Sequence, residues 1–122
     1  MELEVLETLL TVCKVRALPP ADALGGLWFV GRTDAELSLV CPRSAAPADA
    51  PAREDGWRAF RVAGTLDFSL TGVLAGLSTV LAGAGVGIFA VSTYDTDYIL
   101  VKEKDLPRAL AALRAAGHEI AE

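Results

Sequence analysis

The sequence predicts an α+β fold in which antiparallel sheets carry helices on one face. The second half of the chain shows the order β-α-β-β-α-β, the split pattern of ferredoxin-like domains. Apolar residues make up 52% and charged residues 22% of the chain, which is richer in apolar side chains than an average soluble domain and predicts an interface between subunits. The 122 residues suffice for one compact unit, or for two half-size units that share a core.

The second half has the clearer pattern. Ser69 is a candidate N-cap for its first helix, and Gly85 is the stop signal at the end of that helix. Asp105 precedes the second helix, and Pro107 lies in its first turn. The predicted elements are a strand at 57–63, a helix at 70–84, strands at 86–91 and 98–101 joined by a turn, a helix at 106–116 and a short strand at 118–120.

The first half alternates like a sheet and has only a trace of helix. Residues 42–56 are rich in Pro, Ala and Asp, which is typical of a solvated linker. We therefore predict two domains, an N-terminal half at 1–56 and a C-terminal half at 57–122. The elements predicted before the linker are a strand within 6–15, one helical turn at 21–24, and strands at 27–30 and 37–41 around a tight turn.

The charge balance narrows the class of partner. The formal net charge is −5 and the isoelectric point is about 4.8, which argues against nucleic acid and anionic membranes as partners. The apolar run at 70–91 is interrupted by Ser78, Thr79 and five glycines, so it is not predicted to span a membrane. The acidic start of the chain does not resemble a signal peptide, and we expect a cytoplasmic protein.

Catalytic and metal-binding patterns are weak. Cys13 and Cys41 belong to no metal-ligand spacing, and we expect reduced buried thiols, with a disulfide between neighbouring strands as the alternative. His118, the sole histidine, follows a helix-ending glycine and has no nucleophile spaced to meet it. The sequence predicts no enzyme, no cofactor and no metal site.

Two polar clusters in the second half have the chemistry to hold a free amino acid. Asp67, Ser69, Thr71 and Gly72 surround the start of the first helix, where free backbone N–H groups attract a carboxylate. The segment 92–97 offers hydroxyl and carboxylate oxygens that attract an ammonium or guanidinium group. Helix capping and a polar hairpin turn are the structural alternatives for the two clusters.

These residues resemble a known family. Residues 68–74 (FSLTGVL) followed by 81–88 (LAGAGVGI) are similar to the ACT domain, a small regulatory β-α-β-β-α-β module. Residues 92–101 (STYDTDYILV) and 32–41 (RTDAELSLVC) resemble short bacterial tandem-ACT proteins, which are relatives of the arginine sensor CASTOR. The first half departs from the ACT pattern because its first helix is reduced to a few residues.

The resemblance implies a homodimer in which ACT halves pair edge to edge and hold arginine or another amino acid at their interface. By analogy, the turn at 65–72 receives the α-amino and α-carboxylate groups, and the hairpin contacts the ligand side chain. The alternative is a ligand-independent interaction module, or a regulatory subunit of an amino-acid metabolic enzyme. The ligand-binding residues implied are Asp67, Phe68, Ser69, Leu70, Thr71, Gly72, Ser92, Thr93 and Asp97.

Overall fold

The computed structural model describes residues 1–66 and 72–122, which form two compact units. The N-unit comprises residues 8–57, and the C-unit comprises residues 1–7 together with 58–122. The strands are β1 (Glu2–Val5), β2 (Leu10–Lys14), β3 (Phe29–Arg32), β4 (Leu37–Pro42), β5 (Ala52–Val62), β6 (Phe89–Ser92), β7 (Asp97–Lys102) and β8 (Glu119–Ala121), and the helices are α1 (Val73–Gly83) and α2 (Leu106–Ala115).

The C-unit has the predicted β-α-β-β-α-β order, formed by the end of β5 followed by α1, β6, β7, α2 and β8. Its strands lie in the order β6-β7-β5-β1-β8. Both helices pack on one face of the sheet, since apolar side chains of α1 and of α2 lie in the same core and the two helices contact each other. The fully or nearly buried core side chains of this unit are Leu3, Phe60, Val62, Leu77, Leu81, Val86, Ile99, Val101, Leu106, Ala109, Leu110 and Leu113.

Strand β1 was not predicted. It pairs antiparallel with β5 and parallel with β8, so the sheet of the C-unit is not antiparallel throughout. Leu3, on β1, is completely buried in the core of the C-unit. Those pairings place residues 1–7 in the C-unit, whereas the sequence assigned them to the N-terminal half.

The N-unit has the strand order β3-β4-β2-β5 and its own small core. The predicted linker is wrong in its second part, since 52–56 belong to β5 and pair with β2. A ladder of backbone hydrogen bonds can form without large apolar side chains, so composition alone did not reveal this strand. The buried residues of this core are Cys13, Val15, Leu24, Leu39 and Cys41.

The hairpins β3–β4 and β6–β7 have the same geometry at a spacing of 60 residues, from Phe29 to Phe89. A threonine closes the turn of each hairpin with its backbone N–H, which donates to the carbonyl three residues later. The N–O distance is 2.9 Å for Thr33 and 2.8 Å for Thr93. The two units are therefore built on one repeated motif.

The same spacing relates the glycines that precede the hairpins. Gly85 follows the C-cap of α1 with φ 73°, and Gly25 follows the short 3-10 turn Ala21–Ala23 with φ 77°. The N-unit thus keeps the last turn of the first helix and its left-handed glycine. This agrees with the expectation that the first helix of the N-terminal half is reduced.

Neither α1 nor α2 has the length and apolar character needed to cross a bilayer, and no other helix in the described residues has them.

We expect Gly25→Ala and Gly85→Ala each to lower the free energy of unfolding by about 1–2 kcal/mol, because an L-residue is strained at positive φ. The neighbouring changes Gly26→Ala and Gly87→Ala are matched controls, since an added Cβ meets no atom within 4 Å and φ is not positive there. Urea denaturation followed by circular dichroism measures all four. Equal losses in the variants and their controls would contradict the repeated geometry.

Candidate functional site

The polar end of the β6–β7 hairpin carries the first group of candidate ligands. Ser92 and Asp97 are paired across the two strands, and the Ser92 hydroxyl donates to Asp97 Oδ1 at 2.6 Å. Ile99 and Val101 lie in the core beneath the helices. Because side chains alternate along a strand, Asp97 lies on the same helix-bearing face. Asp97 is half-buried and Ser92 is exposed.

The turn between these strands is held by Thr93. Its hydroxyl donates to the Thr96 carbonyl at 3.0 Å and accepts from the Thr96 N–H at 3.4 Å. Thr93 therefore satisfies backbone groups that would otherwise be left open at the turn. Its first role is structural, as the hairpin-turn alternative anticipated.

Two hydrogen bonds fasten this turn to the chain that leads toward α1. The Thr96 hydroxyl is buried and donates to the Val62 carbonyl at 2.8 Å. The Leu66 N–H donates to the Asp95 carbonyl at 2.6 Å. The start of α1 therefore lies at the same end of the sheet as the hairpin turn. The sequence places Thr96 in the polar hairpin turn, but it did not predict the hydrogen bond from Thr96 to Val62.

Gly72 occupies the N-cap position of α1, with φ 80°. It is exposed, and an added Cβ would meet no atom within 4 Å. No described side chain caps the first turn of α1. The first backbone N–H groups of a helix have no partner within the helix and point outward from its start, so they favour an anion.

Of the nine predicted site residues, the structure describes four: Ser92, Thr93 and Asp97 on the β6–β7 hairpin, and Gly72 at the N-cap of α1. The helix begins at Val73 in the described residues. The remaining five, Asp67, Phe68, Ser69, Leu70 and Thr71, lie outside the described residues, as do the predicted helix start at Leu70 and the predicted cap Ser69.

The opposite face of the same sheet carries an ion pair. Arg61 Nη2 lies 3.0 Å from Glu4 Oε2, and Arg61 Nη1 donates to the Tyr98 hydroxyl at 3.2 Å. The guanidinium also lies 5.8 Å from the Tyr98 ring centroid. The hydrogen bonds to Tyr98 and Glu4 raise the pKa of Arg61. Tyr98 is thereby engaged on the face away from the helices, although it is adjacent to Asp97 in sequence.

Burial shifts the pKa of the three side chains weighed for metal binding or catalysis, Cys13, Cys41 and His118. Cys13 and Cys41 are buried free thiols on neighbouring strands, and Cys13 donates to the Leu39 carbonyl at 3.4 Å. Burial raises the pKa of both thiols, that of Cys41 to about 11. Burial also lowers the pKa of His118. Within residues 1–66 and 72–122, no three His, Cys, Asp or Glu side chains are grouped to hold a metal ion.

The comparison with protein families identifies the module. The ACT domain family matches residues 52–115, more than half of the chain. This chain belongs to the ACT domain family. The ACT resemblance and the ferredoxin-like fold class predicted from the sequence are therefore confirmed. No curated protein sequence matches the chain.

Solved structures extend the likeness to nearly the whole chain. Protein Atu0741 from Agobacterium tumefaciens is 34% identical with a TM-score of 0.86, over 98% of this chain and 90% of that one. VC0802 from Vibrio cholerae, described as a possible transport protein, is 22% identical with a TM-score of 0.74, over 98% and 88%. The regulatory subunit of aspartate kinase from Thermus thermophilus is 12% identical with a TM-score of 0.61, over 90% and 93%. The last two likenesses show the shared fold.

We expect Thr96→Val to lower the free energy of unfolding by about 1–2 kcal/mol, because it removes a buried hydrogen bond and leaves a carbonyl without its donor. Thr79→Val is the matched control, since Thr79 is exposed on α1. The control should change stability by less than about 0.5 kcal/mol. Urea denaturation measures both, and equal effects would contradict the fastening role of Thr96.

Proposed function

We propose that this chain is a non-catalytic regulatory protein that binds a free amino acid between the β6–β7 hairpin and the start of α1. The observation that carries the proposal is the Ser92–Asp97 hydrogen bond of 2.6 Å. It orients a half-buried carboxylate at the end of the sheet where α1 begins. Membership of the ACT domain family supports a regulatory role.

The recognition chemistry follows from charge. The N–H groups at the start of α1 would receive the α-carboxylate of the ligand. Asp97, held by Ser92, would pair with a cationic group, and a charge-assisted hydrogen bond of that kind is about twice as strong as a neutral one. Arginine is the first candidate ligand, because it carries both an α-carboxylate and a guanidinium. The segment 67–71 completes the proposed site.

We further propose that the chain works as a homodimer of the tandem-ACT kind, related to CASTOR. Within the described residues, β6 is an edge strand of the C-unit sheet, and edge strands are where a strand of another chain commonly adds. A ligand at such an edge-to-edge interface would favour one dimer arrangement through its differential affinity. Two buried free thiols are typical of a reducing compartment, which supports a cytoplasmic location.

A second role stays open as an outcome of the test. The chain would be a ligand-independent docking module, or a regulatory subunit acting on an enzyme of amino-acid metabolism. In that case the polar side chains of the β6–β7 hairpin only stabilise its turn, and the surface of the dimer carries the function. A dimer that responds to no amino acid would favour this role.

Thermal denaturation with each common amino acid tests the proposal. A ligand at about 100 times its Kd adds roughly 2.7 kcal/mol of stability, which corresponds to a Tm rise on the order of 10 °C for a chain of this size. We expect L-arginine or another cationic amino acid to give this shift. The change Asp97→Asn should remove most of it, because the carboxylate that pairs with the ligand cation is lost.

The matched control is Asp95→Asn, which removes the same charge from the same turn. Asp95 is exposed and contributes its backbone carbonyl to the fold, so the ligand response should persist. Ser92→Ala should give an intermediate loss of affinity, because Asp97 loses its orienting donor. Equal loss of response in the Asp95 and Asp97 variants would overturn the assignment of Asp97. Light scattering establishes in parallel whether the ligand changes the dimer.

A further inference from the structure

The N-unit lacks a counterpart of the second helix of the C-unit. In the C-unit, the short 3-10 turn Glu103–Asp105 continues directly into α2, which has 10 residues. The equivalent turn in the N-unit is Arg43–Ala45, and only residues 46–51 separate it from β5. The connection that a helix makes in one unit is therefore made by a short loop in the other.

A cleft of about 710 Å³ lies at this shortened connection. Arg43 and Ser44 line it from the 3-10 turn, Arg53 and Asp55 from β5, and Thr8 from the chain before β2. Its volume is within the range of about 300–1,000 Å³ that is usual for small-molecule sites. All of these residues belong to the N-unit, so the cleft is separate from the hairpin site proposed above.

The charges in the cleft leave one excess guanidinium. Arg53 Nη2 lies 2.9 Å from Asp55 Oδ1, and Arg53 Nε donates to the same oxygen at 3.0 Å. Arg43 contacts Asp55 Oδ2 with its Nε, at 3.7 Å. The hydrogen bond with the Thr11 side chain, followed by that with Arg53, lowers the pKa of Asp55. Two cations and one anion give a net charge of +1 in a chain of net charge −5.

Arg43 is the arginine with unused donors. In the part of the chain that the structure describes, its Nη1 and Nη2 groups make no hydrogen bond, and its side chain is 59% exposed. The backbone beneath it is fixed, since the Arg43 N–H donates to the Leu9 carbonyl at 2.9 Å. A planar guanidinium with both Nη groups open is suited to bidentate contact with a carboxylate or phosphate.

The neighbouring strand holds the second arginine in place. Arg53 is paired with Cys13 in the ladder between β5 and β2. The register of that ladder shifts between Leu10 and Val12, so that Asp55 and Gly56 of β5 lie opposite the single residue Thr11 of β2. Bulges commonly redirect side chains at sites of function. Here the bulge directs Asp55 between the two arginines.

We propose that this cleft is a second binding site, specific for a small metabolite that carries an oxyanion, either a carboxylate or a phosphate group. Arg43 supplies the open bidentate contact, and Arg53 supplies a further positive charge. Ser44 and Thr8 offer hydroxyl donors to the rest of the ligand. The C-unit has α2 on the corresponding connection, so the site exists in the N-unit through the loss of that helix.

An ion-pair cluster that only stabilises the fold is the competing explanation. Exposed ion pairs of this kind contribute little to stability, so removing them leaves a folded protein whose binding can be measured. The two explanations predict different effects on oxyanion binding when the charge of Asp55 is removed. If the cleft binds an oxyanion, Asp55 opposes the ligand, and Asp55→Asn tightens binding.

The test is a titration of the full chain, ¹⁵N-labelled, with inorganic phosphate and separately with succinate at constant ionic strength. We expect saturable shifts of the amide signals of Arg43, Ser44 and Arg53 with one of the two probes, and the probe that saturates identifies the oxyanion. Arg43→Gln should weaken this binding at least tenfold. Asp55→Asn should strengthen it several-fold.

The matched control is Arg32→Gln, which removes the same charge from β3 of the N-unit and should change the Kd less than twofold. Shifts that grow linearly with both probes, or that are equal in the Arg43 and Arg32 variants, would overturn the proposal. Weaker binding in Asp55→Asn would overturn it as well. L-Arginine should perturb residues 92–97 instead, so this site and the amino-acid site can fail independently.

Discussion

The buried hydroxyl of Thr96 is the contact on which the hairpin site depends. Its hydrogen bond to the Val62 carbonyl, together with that between Leu66 and Asp95, fastens the β6–β7 turn to the chain that leads into α1. A turn fixed only by its own strands would be free to bend away from the helix start. With this fastening, a carboxylate and a helix start lie at one end of the sheet, which is the arrangement needed for a zwitterionic ligand.

The two units show how one motif can be specialised by removing helices. Both keep the hairpin, its closing threonine and the glycine that precedes it, because these features fix local backbone geometry. The C-unit has two full helices, and twelve of its described residues form a buried core beneath them. The N-unit closes a smaller core with short 3-10 turns and alanines, and its charged cleft lies where the second helix is missing.

Much of the C-unit could be predicted from its sequence. The apolar stripes of α1 and α2 and the continuous apolar run of β7 are strong signals, and the glycine after α1 is a reliable stop. The predictions from the sequence failed for segments whose composition is not typical of a strand but which pair with other strands. Strand β1 has only two apolar residues, and the start of β5 is polar, yet both complete a ladder of backbone hydrogen bonds. Whether such a segment forms a strand depends on partner strands that are far away in sequence, and no local sequence pattern indicates those partners.

For the candidate sites, too, one part could be predicted from the sequence and another part could not. The sequence by itself determined the family, the βαββαβ order and the residue types able to hold an amino acid, because each is encoded in neighbouring residues or in a helical or strand period. Only the tertiary structure decided that Ser92 orients Asp97, that Thr96 is buried, that Tyr98 is engaged on the other face, and that Arg43 and Arg53 meet around Asp55. These relations join residues from separate strands, and their distances depend on the register of the sheet, which a single sequence does not reveal.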